Sequence, residues 1–495
     1  MKKLDADVIV VGGGNAAFAA AISATETGSS VIVLERAPEE EAGGNTRFTA
    51  GAIRFAYNGV EDLKKLMPDL TKTEIENTDF GIYSEEQFFD DMGRITEYRT
   101  DPDLCEQLVT KSKSTLMWMQ QQGIRFVPIY GRQAFKVNGK FKFWGGLTVE
   151  AWGGGPGLID SWKKIAKREH VSIRYSARAI SLLVNDDGVY GVEVQENGKK
   201  GRLIANAIVL ASGGFEANTE WRARYLGPGW DTAKVRGTKF NTGDGIKMAL
   251  DIGASPYGNW SGCHAVGWER NAPEFGDLAV GDNFQKHSYP FGIMINSEGN
   301  RFVDEGADFR NYTYAKYGRK ILSQPGQSAW QIFDKKVLHL LRDEYRIKEV
   351  TKISANSIED LVHQLDDVNA KQALETIKIY NASICKNITF NPNAKDGRCT
   401  EGLEVPKSNW ANTIDQPPFE AYAVTCGITF TFGGLRITPE AEILDVDMRK
   451  ISGLFGCGEL VGGLFYNNYP GGSGLIAGAV FGKIAGKSAG NYKSK

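Results

Sequence analysis

The stretch that most limits what this chain can fold into is DADVIVVGGGNAAFAAAISATETGSSVIVLER, residues 5–36. Val8–Val11 and Val31–Leu34 are short uninterrupted apolar runs, which are typical of parallel strands buried on both faces. The residues between them, 16–27, are mostly small and predict a helix. The pattern is a strand–helix–strand unit, and it predicts an α/β fold with a parallel sheet.

The turn after the first apolar run indicates what this unit binds. It has the spacing G-x-G-x-x-A, from Gly12 through Gly14 to Ala17. Gly12 permits the tight turn, Gly14 lets the backbone approach a pyrophosphate, and Ala17 lets the helix pack on the strand. Glu35 follows the second run, where a carboxylate accepts hydrogen bonds from ribose hydroxyls. These features predict a bound dinucleotide whose adenosine ribose has a free 2′-hydroxyl.

Length and composition narrow the class of protein. A chain of 495 residues predicts two or three domains. Hydrophobic residues make up 42% of the chain and charged residues 24%, which is typical of a soluble globular protein. The net charge is −2 and no block of lysine and arginine stands out, so nucleic-acid binding is not expected.

The apolar runs and the cysteines predict the cellular setting. No run approaches about 18 apolar residues, so no membrane span is expected. The N-terminal residues resemble a signal peptide, but their apolar part supplies the first predicted strand, so cleavage is not expected. The cysteines form no CxxC pair, which argues against a metal site and favours reduced, mostly buried thiols in a cytoplasmic protein. They are Cys105, Cys263, Cys385, Cys399, Cys426 and Cys457.

Four further segments resemble the FAD-binding pattern of the succinate dehydrogenase/fumarate reductase flavoprotein family. They are EAGGNTRFTAGA (residues 41–52), IVLASGGF (208–215), NTGDGI (241–246) and GLFGCGELVGG (453–463), and they follow in order along nearly the whole chain. The resemblance implies FAD as the cofactor. A second Gly/Thr-rich loop so close to Glu35 is also unnecessary for NAD.

The same resemblance implies a set of FAD-contacting residues and the way the flavin is held. Members that attach FAD covalently carry histidine at the position of Asn45, so the FAD here is expected to be non-covalent. Asn45 is expected either to hydrogen-bond near flavin N5 or simply to form the turn. Besides Gly12, Gly14 and Glu35, the implied contacts are Asn15, Ala16, Arg36, Gly43, Gly44, Asn45, Thr46, Thr49, Ala50, Gly51, Ala179, Ala211, Ser212, Gly213, Asp244, Gly458, Glu459, Gly472, Ser473, Gly474 and Leu475.

The resemblance also implies the domain organisation, a split Rossmann-like FAD-binding domain with an inserted α+β capping domain. We expect the FAD domain over residues 1–262 and 429–495, and the capping domain, which holds the substrate, over 263–428. Within 171–214, period-2 alternation around the turns NDDG and ENGK predicts a set of strands. Residues 352–384 predict amphipathic cap helices, and the small and apolar residues after Gly472 predict a closing helix whose positive end points at the flavin.

The substrate face departs from the fumarate reductase pattern. His264 stands at the position of the family's first substrate-binding histidine. The family's second histidine is replaced by Thr429 in TFTFGG, and its arginine in ANRxGG is replaced by Tyr469 in NNYPGG. Two groups that clamp a C4 dicarboxylate are therefore missing, and tyrosine does not supply arginine's charged fork. A fumarate reductase in the narrow sense is not expected.

Arg310 in RFVDEGADFR stands at the position of the arginine that moves the proton in this family. The relay residues that support it are replaced by Gln285 and Ser288, so Lys286 or His287 is the expected substitute, histidine being able to titrate near neutral pH. The alternative is that Arg310 only forms a cap-stabilising ion pair. Its partner would then be Glu305 or Asp308.

Within the family, the substrate-face segments most resemble the tricarballylate dehydrogenase branch. That branch oxidises tricarballylate to cis-aconitate and passes electrons to a membrane-bound iron–sulfur protein. The implied catalytic residues are Arg310, Tyr469, His264 and His287, and the implied substrate-binding residues are His264, Thr429, Arg236 and Arg310. No second nucleotide fingerprint of comparable quality is present, which favours a protein partner over NADH as the electron carrier.

Three alternatives remain open from the sequence. A ketosteroid-dehydrogenase-like enzyme would use Tyr469 to polarise a ketone, and the aromatic residues within 260–291 suit its apolar cleft. A reductase of another unsaturated acid or enone, of the fumarate or enoate type, is the second. A non-catalytic electron-transfer flavoprotein is the third, although such a protein does not need a long cap.

Overall fold

The computed structural model describes residues 4–385 and 387–493. Within them the strands, in chain order, are β1 (Val8–Val11), β2 (Val31–Leu34), β3 (Ala52–Ile53), β4 (Thr78–Asp79), β5 (Phe126–Pro128), β6 (Ala134–Val137), β7 (Lys140–Phe143), β8 (Val149–Ala151), β9 (Ser172–Arg174), β10 (Ala177–Asn185), β11 (Gly188–Glu196), β12 (Lys199–Ile204), β13 (Ala207–Leu210), β14 (Lys234–Val235), β15 (Pro256–Glu269), β16 (Ile293–Ile295), β17 (Ala329–Asp334), β18 (Lys352–Ala355), β19 (Phe419–Leu435), β20 (Glu442–Leu444) and β21 (Lys450–Gly456). The α-helices are α1 (Asn15–Thr25), α2 (Val60–Leu66), α3 (Lys72–Glu76), α4 (Glu85–Ile95), α5 (Pro102–Gln122), α6 (Tyr130–Gln133), α7 (Gly154–Arg168), α8 (Thr219–Trp221), α9 (Asp244–Leu250), α10 (Tyr314–Leu322), α11 (Ile358–Gln364), α12 (Ala370–Ala382) and α13 (Ser473–Gly490).

The first sheet has six strands in the order β20-β21-β13-β1-β2-β9. Its centre is parallel, with Val8 of β1 opposite Val31 of β2 and Ala207 of β13. Every residue of β1, β2 and β13 is buried, because α1, α13 and other elements pack over the sheet. The α/β fold predicted from the apolar runs is confirmed.

The helices that cover this sheet pack closely through small residues. The α1 residues Ala17 to Ala21 are all buried against α13. A Cβ at Gly482 would lie 2.5 Å from the carbonyl oxygen of Ala16, and a Cβ at Gly486 would lie 2.0 Å from that of Ala20. Backbone contact at this distance excludes any side chain, so these two glycines set the separation of α13 from α1.

The strands predicted within residues 171–214 are present. β9 extends the first sheet at its β2 edge, and β10, β11 and β12 form a separate antiparallel sheet. The chain then returns through β13 to the centre of the first sheet, next to β1. The return strand ends at Leu210, so the following turn, residues 211–214, lies beside the turn after β1.

A second large sheet faces the first sheet across a cavity. It has the order β14-β19-β17-β16, and β15 and β18 also pair with β19. The predicted boundaries at 262/263 and 428/429 fall inside the long paired strands β15 and β19, so the split into FAD and capping domains stays a prediction. The region 352–384 holds α11 and α12 as predicted, but its first residues form strand β18 instead of a helix. No helix in the described ranges is long and apolar enough to cross a lipid bilayer.

Candidate active site

A large cavity lies between the first sheet and the second. It has about 1670 Å³ of non-atom space, part of which is open to solvent. The sequence-predicted residues that line it are Gly12, Gly14, Asn15, Ala16, Glu35, Arg36, Gly44, Asn45, Thr46, Thr49, Ala50, Ala179, Ala211, Ser212, Gly213, Arg236, Asp244, His264, His287, Arg310, Thr429, Gly458, Glu459, Tyr469, Gly472, Gly474 and Leu475. Gly43, Gly51 and Ser473 each neighbour such a residue in the chain but are not part of the wall.

The nucleotide end of the cavity is built by the turn after β1. Gly12 has φ 119°, and a Cβ there would lie 2.3 Å from the carbonyl oxygen of Ala211, so the turn requires glycine. Glu35 is 6% exposed, and its carboxylate accepts a hydrogen bond from the Ala37 N–H at 2.8 Å. Burial raises the pKa of Glu35 above its ordinary value. Arg36 at this end pairs with Asp244 at 3.1 Å.

These surroundings fit FAD. The Ser212 hydroxyl is buried, lines the cavity and has no hydrogen-bond partner among the described residues, so a ligand with oxygen acceptors would satisfy it. The start of α13 reaches the wall through Gly472, Gly474 and Leu475, which places the positive end of an 18-residue helix there as predicted.

The predicted flavin loop is held by its own hydrogen bonds. The Asn45 amide donates to the Glu216 carboxylate at 2.5 Å and to the carbonyl oxygen of Thr429 at 2.9 Å. Its carbonyl oxygen accepts from the backbone N–H of Thr238 at 2.9 Å. Asn45 therefore ties the loop of residues 44–48 to the second sheet, and its amide group is already engaged by protein atoms.

Two buried carboxyl groups meet behind this loop. Glu216 is fully buried, and Glu459 accepts from the Thr431 N–H at 2.8 Å while it lines the cavity. Burial, together with the neighbouring Glu216 carboxyl, raises the pKa of Glu459 well above its ordinary value. Like charges in a buried place disfavour each other's ionised form, and the pKa of Glu216 is raised as well.

The opposite wall carries the predicted catalytic rings. His264 of β15 stacks on Tyr469, with ring centroids 4.8 Å apart, and Tyr314 meets the edge of the His264 ring at the same separation. The Tyr469 hydroxyl accepts from the Gly474 N–H at 2.8 Å. Burial, and then the charge of Arg236, lowers the pKa of His264 well below its ordinary value, so its ring is neutral near pH 7.

Arg310 begins a 3₁₀ turn, Arg310–Tyr312, and is 9% exposed. Its guanidinium donates to the carbonyl oxygen of Arg132 at 2.5 Å, and within the described residues it forms no ion pair with a carboxylate. Burial lowers its pKa, the charge of Glu344 opposes this, and the charge of Arg132 adds to the lowering. Its neighbour in the cavity, His287, has a pKa held well below the ordinary value by burial and then by the charge of Arg310.

The alternative ion pairs suggested for Arg310 are not formed. Glu305 pairs with Arg301 at 2.5 Å, and Asp308 pairs with Arg94 at 2.6 Å. Both carboxylates are thus engaged by other arginines. Arg310 is left as a buried cation that faces the cavity.

Lys286, considered as a substitute for the relay, is wrongly placed for it. Its ammonium group points away from the cavity toward Glu269, 3.9 Å away, and toward backbone carbonyl groups. Burial lowers its pKa to about 8. His287, one residue on, faces the cavity instead. Gln285 also reaches the wall, where its amide donates to Asp282 at 2.9 Å.

A charge cluster that the sequence did not reveal completes this wall. Asp282 receives Arg236 on one carboxylate oxygen, at 2.6 Å, and Arg132 on the other, at 2.8 Å. Arg236 also donates to the Thr429 hydroxyl at 3.3 Å. Arg310 lines the same cavity, so three guanidinium groups and one carboxylate stand on this side of it, with a net positive charge.

A second, smaller cavity of about 340 Å³ lies directly behind Arg310 and His287, which line both cavities. Its other walls are mainly aromatic, from Phe135, Trp144, Phe291, Phe309 and Trp410, with Arg342 and Pro392. The Arg342 guanidinium lies 3.8 Å from the centre of the Phe135 ring. Burial, and then the charge of Arg310, lowers the pKa of Arg342 to about 9.

A dinucleotide-binding α/β fold with a reacting face opposite the expected flavin is the architecture of an FAD-dependent oxidoreductase. A family model described as FAD binding domain matches residues 7–476, and the chain belongs to that family. FAD is therefore its cofactor, as predicted.

Individual relatives agree with this assignment. The chain is 29% identical over 493 residues to the fumarate reductase (cytochrome) of Shewanella frigidimarina, which covers 99% of this chain and 78% of that protein. It matches the open conformation of a flavocytochrome c3 fumarate reductase with a TM-score of 0.72 and 26% identity, over 98% of this chain and 78% of the other. It shares its fold with 3-ketosteroid Δ1-dehydrogenase from Sterolibacterium denitrificans, at a TM-score of 0.74 and 20% identity, over 99% and 100% of the two chains.

The prediction of an FAD-dependent enzyme of the CH–CH oxidoreductase class is confirmed, and so is the wider fumarate reductase/succinate dehydrogenase flavoprotein family. The tricarballylate branch, the individual site roles and the electron partner stay predictions.

Proposed function

We propose that the enzyme acts on a CH–CH bond of a small polycarboxylate, and that its reaction is the oxidation of tricarballylate to cis-aconitate. The observation that carries this proposal is the positive charge on one side of the cavity. Arg132, Arg236 and Arg310 line the cavity, and Asp282 pairs with the first two of them. A buried excess of guanidinium groups is stabilised by an anionic ligand, and guanidinium forks match carboxylates in shape.

We assign substrate orientation to the arginines that share Asp282. Arg132 and Arg236 are held at fixed positions by the same carboxylate, so their remaining N–H groups are preorganised toward the cavity. Thr429 is linked to Arg236 and adds a neutral hydroxyl. When bound, FAD supplies the hydride acceptor and donor chemistry. The protein holds the reacting carbons against the FAD and transfers the substrate proton.

We assign the transfer of the substrate proton to Arg310. An arginine ordinarily keeps its proton, since its pKa exceeds about 12. Here burial lowers that pKa, although the charge of Glu344 offsets part of the effect, so release and recapture of a proton at the guanidinium is less costly. His287 is next to it in both cavities, and its Nε2 has no partner among the described residues. His287 is therefore the group proposed to exchange the proton with Arg310.

His264 and Tyr469 are proposed to bind and polarise the substrate as neutral groups. The Nε2 of His264 has no hydrogen-bond partner within the described ranges, and it lines the cavity. The Tyr469 hydroxyl already accepts from Gly474, which leaves its own proton free for donation into the cavity. Neutral donors of this kind bind a carboxylate or a carbonyl without adding charge.

The Tyr469 arrangement also favours a second candidate, a ketone-activating dehydrogenase. A tyrosine O–H that accepts from a backbone N–H at a helix start is a suitable donor for a polarised carbonyl oxygen. This candidate does not use Arg132, Arg236 and Arg310. An enoate or fumarate-type reductase would use these arginines to bind an unsaturated acid and would run the reaction in the direction of reduction. A non-catalytic flavoprotein would use neither the arginines nor Tyr469.

We propose that electrons leave to a partner protein, for which a membrane-bound iron–sulfur protein is the leading candidate. This rests on the lack of a second nucleotide fingerprint in the sequence, and reduction of the flavin by NADH at a catalytic rate would contradict it. We also propose a cytoplasmic location, because the cysteines form no CxxC pair and their pattern favours reduced thiols.

The proposal is tested by turnover. Purified holoenzyme is incubated with tricarballylate and a dye acceptor, and the product is identified by chromatography and mass spectrometry. Formation of cis-aconitate, with little product from succinate, supports the proposal. Turnover of a 3-ketosteroid but not of tricarballylate would transfer the assignment to the ketone branch.

A further inference from the structure

The cysteines fall into two groups by exposure. Four are buried, as expected of small apolar side chains: Cys105, Cys263, Cys426 and Cys457. Cys385 and Cys399 are half-exposed, and both fall within the predicted capping domain. They are 14 positions apart, so they form no CxxC motif.

The segments that carry Cys385 and Cys399 run antiparallel. Ile384 and Thr400 form a β-bridge, and the backbone N–H of Cys385 donates to the carbonyl oxygen of Cys399 at 3.0 Å. The two Sγ atoms are 3.3 Å apart. A disulfide bond is about 2.05 Å long, so closure needs a shift of about 1.2 Å, which side-chain rotation can provide.

We propose that Cys385 and Cys399 are a reversible thiol–disulfide modification site, oxidised by a small-molecule disulfide such as glutathione disulfide. One cysteine thiolate attacks a sulfur of the small disulfide, so that a mixed disulfide forms and one small thiol leaves. The second cysteine thiolate attacks the protein sulfur of that mixed disulfide, and the second small thiol leaves. Two electrons pass from the protein sulfurs to the oxidant, and the two protons are taken up by the released thiols.

The bond would fix the base of a loop that borders the proposed reaction centre. Within residues 387–398, Pro392 lines the smaller cavity together with Arg310 and His287. The Asn393 amide donates to the carbonyl oxygen of Phe135 at 2.9 Å, and Lys395 lies 3.5 Å from Asp308. The link from the loop to catalysis rests on the proposed function, whereas the disulfide itself does not.

The test is a peptide map of the folded holoenzyme after treatment with glutathione disulfide. A hydrogen bond to Cys399 and then the nearby Glu401 raise the pKa of Cys385 to about 11, so treatment is carried out at about pH 8.5, where thiolate is more abundant than at neutral pH. We expect a cross-linked peptide containing both cysteines, reversed by dithiothreitol. Thiols that react in the folded protein should fall from two to none.

Matched variants separate this site from general oxidation. Cys385→Ser and Cys399→Ser should each leave one thiol that ends as a glutathione adduct. Cys105→Ser, at a buried position, should leave the cross-link unchanged. Persistence of two alkylatable thiols in the treated wild type, or adducts at both cysteines without a cross-link, would overturn the proposal. These readouts are covalent, so their failure is distinct from failure of the tricarballylate assignment.

Discussion

The rings of His264 and Tyr469 are stacked, with centroids 4.8 Å apart and planes 15° from parallel. His264 belongs to β15 of the second sheet, and Tyr469 precedes α13, which packs on the first. The contact therefore joins an element of the second sheet to one that packs on the first, at the proposed reaction centre. Each ring also presents a polar atom to that space.

Replacement of Tyr469 by phenylalanine distinguishes the two candidate functions. The stack with His264 is retained, and only the hydroxyl that accepts from Gly474 is lost. If the arginines carry substrate binding, kcat/KM with tricarballylate should fall less than about tenfold. If the hydroxyl polarises a ketone, turnover of the ketone should fall by about 10² to 10³, the usual cost of losing such a donor. Steady-state kinetics of wild type and variant with both substrates decide between these results.

Replacement of Arg310 by methionine should greatly slow the chemical step while FAD remains bound. We expect the rate of flavin reduction at saturating substrate to fall about 10²- to 10⁴-fold, the range for loss of a general acid–base group. Stopped-flow absorbance measures this rate of flavin reduction. Arg449→Met is the matched control, since Arg449 is exposed and pairs only with Asp447 across the surface. An Arg310 variant that keeps the wild-type rate would exclude the proton role.

Replacement of Arg236 or Arg132 by methionine should weaken binding more than it slows chemistry. Loss of one charged hydrogen-bond donor costs about 1.5–3 kcal/mol, so the KM for tricarballylate should rise roughly 10- to 100-fold. Arg449→Met is again the control, because Arg449 is exposed and pairs with Asp447 on the surface. An unchanged KM in both cavity variants would contradict the assignment of substrate binding.

The two buried histidines predict a pH dependence of stability. Burial, together with nearby arginines, holds the folded-state pKa of His264 and of His287 well below the ordinary value. Below about pH 6.5 the unfolded chain takes up protons that the folded chain does not, so stability is lost as pH falls, by up to about 1.4 kcal/mol per pH unit for each ring. Urea unfolding midpoints of the apoprotein between about pH 8 and 5 should fall less steeply in His287→Gln than in wild type. Equal slopes would show that His287 titrates normally.

FAD should be released when the protein is denatured. Asn45 offers no ring nitrogen for a covalent link, and its amide is bonded to Glu216 and Thr429. After acid precipitation, the flavin absorbance should therefore appear in the supernatant. Flavin that stays in the pellet would show a covalent link elsewhere.

The elements that sequence reasoning predicted well are those determined by neighbours in the chain. The turn from Gly12 to Ala17 and the position of Glu35 depend on residues that touch within one strand–helix–strand unit, and both are as predicted. The strands within 171–214 follow from local alternation in the same way.

The charge cluster around Asp282 had no such signal. Arg132, Arg236 and Asp282 come from three distant segments, and only tertiary packing brings them together. Asp282 stands directly before the segment compared for relay residues, but an isolated acid has no distinguishing pattern. The sequence did not show which of Lys286 and His287 faces the cavity. Adjacent side chains of an extended segment point to opposite sides, and no local pattern indicates which side is which. The meeting of Cys385 with Cys399 is likewise a product of cross-strand pairing.

The most direct measurement of the central claim is the anaerobic absorbance of the holoenzyme during titration with tricarballylate, with succinate, a 3-ketosteroid and NADH in parallel. The account predicts that tricarballylate bleaches the flavin band at a rate compatible with turnover and that the other three do not. Bleaching by the steroid or by NADH, with none by tricarballylate, would contradict a polycarboxylate substrate at the arginine cluster.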